Sequence, residues 1–343
     1  MAMDQARKAL DTVVGQNYRR LDLSPVITVQ DGPERPLLRT LETTEATDLT
    51  HTWDEIGLNK PGSGQSTYPE GGKPPTTPKA PVRLSNTVCR IGKVAAVTDT
   101  MAAIWTRGGK FSLKDGELER LFQQAIDLET SMRTTDVLNE MEWMLLNGDS
   151  VNAEGWTGGQ CDGVLKRIQT NVINCATGST PLDVARDNAA AFENQIRVLA
   201  KQIRQLYTPT VPNLVLATAG QKDGINGFVG GGAGRPLVQV VSPDSAGYVA
   251  GQEVDEYQTG HFKVRVMAEP QQEIAASAGK AVPPTTAQLP MIDAQHFLVA
   301  YLIPLGAEPL ARLGTSAERM VTVEFTLEVR NEKSSGKLTG LAV

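Results

Sequence analysis

The spacing of apolar residues changes several times along the chain, and each change marks an element. Leu118, Leu121, Phe122, Ala125, Leu128, Met132, Leu138, Met141 and Leu145 recur at mostly helical intervals, the stripe of an amphipathic helix. Ser112 and Asp115 form an S-x-x-D start and Gly148 a stop. About 35 residues at 1.5 Å each predict a rod of about 50 Å, several times the mean globular helix. A second stripe, Leu182, Ala185, Ala189, Phe192, Ile196, Leu199, Ile203 and Leu206, follows the start signal Thr180, Pro181 and Asp183.

Elsewhere the pattern is that of strands. Val321, Val323, Phe325, Leu327 and Val329 alternate with polar residues, and Phe262, Val264 and Val266 alternate with Lys263 and Arg265. Short apolar runs at Leu214 to Leu216, Leu237 to Val241 and Gln295 to Leu305 suit buried strands. On the N-terminal side, Leu37 to Ile56 and Val82 to Val97 read as two further strands flanking a polar tract. That tract, residues 57–81, holds five glycines and six prolines in 25 residues, too many for a packed core. The two strands and the tract together predict a long hairpin with a projecting tip. Residues 4–20 carry a weak amphipathic helix, and prolines 25, 33 and 36 favour an extended arm. The fold class is α+β, with no internal repeat.

Composition narrows the function. A chain of 343 residues can bury a sizeable core. A formal net charge of −6 argues against a protein whose task is to neutralise a nucleic-acid backbone. The longest apolar stretch, Phe297 to Leu305, is far short of a membrane span, and the N-terminus has no signal-peptide pattern, which predicts synthesis in the cytoplasm. Cys89, Cys161 and Cys175 are too few and too far apart in sequence for a disulfide framework, and are expected as buried free thiols.

Catalytic signatures are missing. Gly230 to Gly234 carry no phosphate-loop spacing, and Gly72-Lys73 runs into two prolines that cannot open a helix. His51, His261 and His296 lie in three separate segments, so neither a metal site nor a Ser-His-Asp arrangement is suggested. His296, on an apolar strand, is expected to be a satisfied core residue. The carboxylates fall mostly on predicted helix exteriors. No enzyme, cofactor or metal is expected.

The linear order of arm, hairpin, long helix and mixed domain resembles the major capsid proteins of tailed phages, the Hong Kong 97-type fold. Local phrases carry the resemblance: His51-Thr52-Trp53, Pro212 to Leu216 with Gln221-Lys222, Tyr301 to Leu305 followed by Leu310-Ala311, and Glu324 to Lys333. It implies an N-terminal arm (1–36), an extended β-hairpin loop (37–110, tip 57–81), a peripheral domain with the spine helix (111–180 and 301–343) and a mixed axial domain (181–300). The implied function is a structural subunit that self-assembles into pentamers and hexamers of an icosahedral, double-stranded DNA phage head. Trp53, Tyr68, Glu70, Lys73 and Arg83 are the implied inter-subunit contacts, with Gly230, Gly232 and Gly234 near the capsomer axis.

The same resemblance implies a scaffolding protein, since the arm is short, together with a portal and cement or decoration proteins. The shell would enclose DNA without sequence-specific binding and without a membrane, be assembled in the host cytoplasm and end in the virion. A lysine–asparagine crosslink of the kind found in the namesake phage is not expected, although Lys60, Lys73 and Lys79 lie in the loop. An encapsulin-like compartment shell, and an α+β enzyme with a mobile lid at 57–81, are the alternatives.

Overall fold

The computed structural model describes residues 34–57, 67–76, 79–98, 117–151, 159–178, 180–184, 188–205, 210–228, 254–272, 286–311 and 316–342. These include helix α1 (Pro36–Thr40), strands β1 (Glu42–Glu45), β2 (Thr50–Glu55), β3 (Val82–Thr87) and β4 (Cys89–Thr98), and helices α2 (Glu117–Asn147) and α3 (Val164–Arg167). Next come β5 (Val172–Asn174), α4 (Ala189–Gln205), β6 (Leu214–Ala217), α5 (Ala219–Asn226), β7 (Glu256–Gln258) and β8 (Lys263–Ala268). The chain finishes with β9 (Thr286–Ile292), β10 (Phe297–Pro309), β11 (Ser316–Val329) and β12 (Gly336–Ala342).

Three sheets result: β1-β10-β11-β4, β5-β12-β9-β6-β8-β7, and the two-stranded ribbon β2-β3. Alternation in β11 places Val321, Val323, Phe325, Leu327 and Val329 in one core with Met141, Met144 and Leu145 of α2. The 31 residues of α2 make a rod of about 46 Å across the four-stranded sheet. In its C-terminal turns Met141, Met144, Leu145 and Leu146 are fully buried. Its outer half is tied by Arg319–Asp127 at 2.6 Å beside the small apolar contact of Ala125 and Ile126 with Val97, and Lys93–Glu140 at 2.6 Å ties the half nearer the core.

A second core joins α4, through Phe192, Ile196, Leu199 and Ile203, to the six-stranded sheet. Strand β6 belongs to both cores, because its successive side chains leave opposite faces: Leu214 and Leu216 enter the first, Val215 the second. That double burial explains its unbroken apolar run.

Several expectations need correction. Leu37 to Ile56 is not one strand but α1, β1 and β2, and Val82 to Val97 divides at Val88 into strands of two different sheets. Thr180 to Asp183 does not start the second helix. Leu182 instead exchanges backbone bonds with β12, its amide donating to the Gly340 carbonyl and its carbonyl accepting from Ala342, and α4 begins at Ala189. His296 is partly exposed, with Nε2 3.7 Å from Asp293, rather than a satisfied core residue. The helix read over 4–20, the start at Ser112 and the strand at Leu237 to Val241 lie outside the described residues.

Candidate functional site: the projecting hairpin

The β2-β3 ribbon is antiparallel with His51 opposite Asn86, Trp53 opposite Leu84 and Asp54 opposite Arg83. Alternation turns His51 and Trp53 toward the body. Trp53 Nε1 donates to the Val329 carbonyl at 2.8 Å, and His51 Nε2 lies 2.8 Å from Glu328 Oε2. The Arg167 guanidinium covers the Trp53 ring at 5.6 Å and donates to the Ser85 carbonyl. Asn86 Nδ2 donates to the carbonyls of Leu327 (2.8 Å) and Asp162 (3.0 Å), while its Oδ1 accepts from the Asp162 amide at 2.9 Å. One buried asparagine thus splices the ribbon to β11 and to the segment before α3.

Charge supports this base. Burial opposes ionisation of Glu328, but bonds from Arg330 and His51 outweigh it and hold its carboxyl below the usual range. Burial lowers the Arg167 pKa, opposed by Asp162 at 3.2 Å. The far end is held differently. Asp54 and Arg83 pair at 3.0 Å with side chains 46% and 74% exposed, a contact that solvent screens heavily. Beyond it Ile56 and Val82 are 60% and 61% exposed, and Tyr68 54%.

Among the implied contact residues, Trp53 is therefore engaged within its own chain, whereas Tyr68, Glu70, Lys73 and Arg83 sit exposed on the far part of the hairpin. Gly230, Gly232 and Gly234 lie outside the described residues. Asn86 and Arg167, which fix the hairpin's direction, went unnoticed in the sequence because their partners lie 76 or more residues away. Elsewhere the described residues form open grooves, one between Arg197, Lys201 and His261, another between Asp149, Lys166 and Lys337. Among the described residues no three His, Cys, Asp or Glu side chains converge as a metal site, and no helix is long and apolar enough to cross a membrane.

An anchored base whose described far-end residues lie exposed fits a part that works on another molecule, and sequence comparison identifies the setting. Residues 10–342 match the sequence profile of the SU10 major capsid protein family. The chain belongs to that family. It is a major capsid protein of a phage virion, a structural subunit of the shell. Solved structures with the same architecture include Gordonia phage Cozz, at 10% identity and a TM-score of 0.60 over 96% of this chain and 93% of that one. The capsid of Myoviridae Phage XM1 matches at 13% and 0.54 over 96% and 99%. The holo-SrpI encapsulin complex from Synechococcus elongatus matches at 10% and 0.51 over 96% and 95%. Identities this low speak for fold alone, and the capsid subunit has the Hong Kong 97-type fold expected. No curated protein sequence matches it.

Proposed function

We propose that the subunit builds pentamers and hexamers of an icosahedral head around double-stranded DNA, and that its hairpin lies over a neighbouring copy. The observation that carries this reading is the exposed end of the ribbon. Ile56 and Val82, beside the Glu55–Val82 register pair, and Tyr68 expose large apolar surface next to a rigidly bonded base. Covering Ile56 and Val82 would supply about 1.5–3 kcal/mol each, repeated at every contact of a closed shell. Exposed Glu70 and Lys73 would add partner selection more than affinity.

In this reading α2 is the spine of a peripheral domain, and the six-stranded sheet with α4 is the axial domain. Strands β5 and β12 pair with that sheet, so we place 172–174 and 336–342 with the axial domain rather than the peripheral one. A scaffolding protein, a portal and decoration proteins complete the partners, and the chain has no catalytic role. Removal of residues 60–79 tests the proposal. Under electron microscopy the full chain should give closed particles or rings of five and six, and the shortened chain a folded subunit that does not close; normal particles from the shortened chain would refute the role given to the hairpin. DNA-free shells packed around a protein cargo would favour the compartment reading instead.

A further inference from the structure

Cys89 and Cys161 are 72 residues apart in sequence, yet their Sγ atoms lie 3.6 Å from one another, and both side chains are wholly buried. Cys89 opens β4 opposite Phe325, and its thiol points at the Phe325 carbonyl at 3.3 Å. Cys161 sits between α2 and α3 in a segment packed hard on the helix end. The Gly163 amide donates to the Gly148 carbonyl at 2.9 Å, and any side chain at Gly148 would strike the Cys161 carbonyl. A strand ladder fixes one sulfur and a helix terminus the other. A sulfur–sulfur bond is about 2.05 Å long, so closing the pair moves each sulfur by less than about 1 Å. Cys175 belongs to the other core.

We propose that Cys89 and Cys161 form a modification site, a dithiol while the subunit folds and assembles and an intrasubunit disulfide in the released particle. The inference rests on the capsid reading in one respect: a virion leaves a reducing interior for surroundings in which disulfides persist. The oxidant is hydrogen peroxide. One cysteine, as thiolate, attacks a peroxide oxygen and becomes a sulfenic acid while the O–O bond breaks and the departing oxygen leaves as water. The second thiolate then attacks that sulfur and displaces the hydroxyl as a second water. The two sulfurs lose two electrons, the peroxide gains two, and the two thiol protons end in the two waters. Hydrogen bonding to Cys89 and burial push the Cys161 thiol well above its usual range, which keeps that thiol protonated and slow to react. The bridge would tie the strand behind the hairpin to the far end of α2.

Peptide mapping decides it. Particles aged without reductant, and unassembled subunit treated with dilute hydrogen peroxide, are blocked with N-ethylmaleimide in denaturant, digested without reduction and weighed. The expected product is a linked pair containing Cys89 and Cys161, two hydrogens lighter than the separate peptides, with Cys175 blocked. Blocked Cys89 and Cys161 after peroxide, or a bridge to Cys175 or between subunits, overturns the proposal. The subunit arm decides the pairing even where no shell forms. The oxidised subunit should melt about 5 °C above the reduced one, and C161A should abolish that difference. Phosphine reduction of the unchanged chain gives the same comparison should C161A not fold, and equal melting of the bridged and reduced chains counts against the proposal.

Discussion

Glu142 of α2 and Glu269, just after β8, are both fully buried, their carboxyls interact electrostatically, and Glu269 Oε2 has no other hydrogen-bond partner. Glu142 accepts from the first free amides of α1, Leu37 N at 2.6 Å and Leu38 N at 2.9 Å, with Arg35 nearby on Asn139. Glu269 accepts from the Gln271 amide at 3.0 Å. Burial first, and the charge of Glu142 second, push the Glu269 carboxyl up to about 9, so the pair keeps a proton at neutral pH. A group whose folded value lies above its unfolded one contributes stability that is complete below about 4.5 and is lost as pH rises toward 9. One extra bound proton corresponds to about 1.4 kcal/mol per pH unit, or about 4 kcal/mol between pH 5.5 and 8.5, a large part of a typical domain's stability.

Glu269→Gln replaces the shared proton with an amide donor that does not titrate. Urea unfolding of the unassembled subunit at pH 5.5, 7 and 8.5 should show the midpoint falling with pH for the native sequence and a much flatter profile for the variant, which should be the more stable protein at pH 8.5. Parallel slopes for the two proteins, or a native sequence that gains stability toward pH 8.5 relative to the variant, would refute the reasoning.

Other perturbations have equally definite outcomes. Trp53→Phe keeps a ring under Arg167 but leaves the Val329 carbonyl without its donor, which should cost about 1–2 kcal/mol in chemical unfolding and raise proteolysis at the hairpin. Glu328→Gln should remove stability that exists above the lowered carboxyl value and disappears in acid, so native and variant chains should converge in melting temperature as pH falls toward 3. Gly340→Ala meets both a φ of +70° and a collision with Asn174 and Ala176, and should destabilise the subunit by about 1–3 kcal/mol. Ile56→Ser combined with Val82→Ser should leave the melting of the isolated subunit within about 1 °C of the native sequence, since both side chains are already exposed, while lowering shell yield in an assembly assay.

The parts of the fold that were readable from sequence are those whose burial follows one period. Strand β11 shows one apolar face and α4 one apolar stripe, and both were visible. Strand β12 was missed because its sequence, GKLTGLA, has two glycines and only two large apolar residues. Gly336 is required there, since a Cβ would press on Leu199 and Asn171. The misplaced start of the second helix has a related cause: a local capping signal at Thr180 lost to strand pairing with β12 across more than 150 residues. The capping box that does operate is Thr218 with Gln221 at the start of α5. At the candidate site the hairpin and its exposed end were legible, but its anchors were not, since Asn86 and Arg167 act through backbone atoms remote in sequence. Glu142 passed for a solvated helix residue. Its place within Met141 to Leu146, a lone acid in an apolar run, was the available clue.

Cryo-electron microscopy of the assembled product tests the central claim most directly. The account predicts a closed shell in which residues 67–82 of each subunit lie on a neighbouring copy, with Ile56 and Val82 covered and Trp53 still bonded to its own Val329. Shells in which the hairpin end stands free in solvent, or a chain that stays monomeric under every assembly condition, would contradict it.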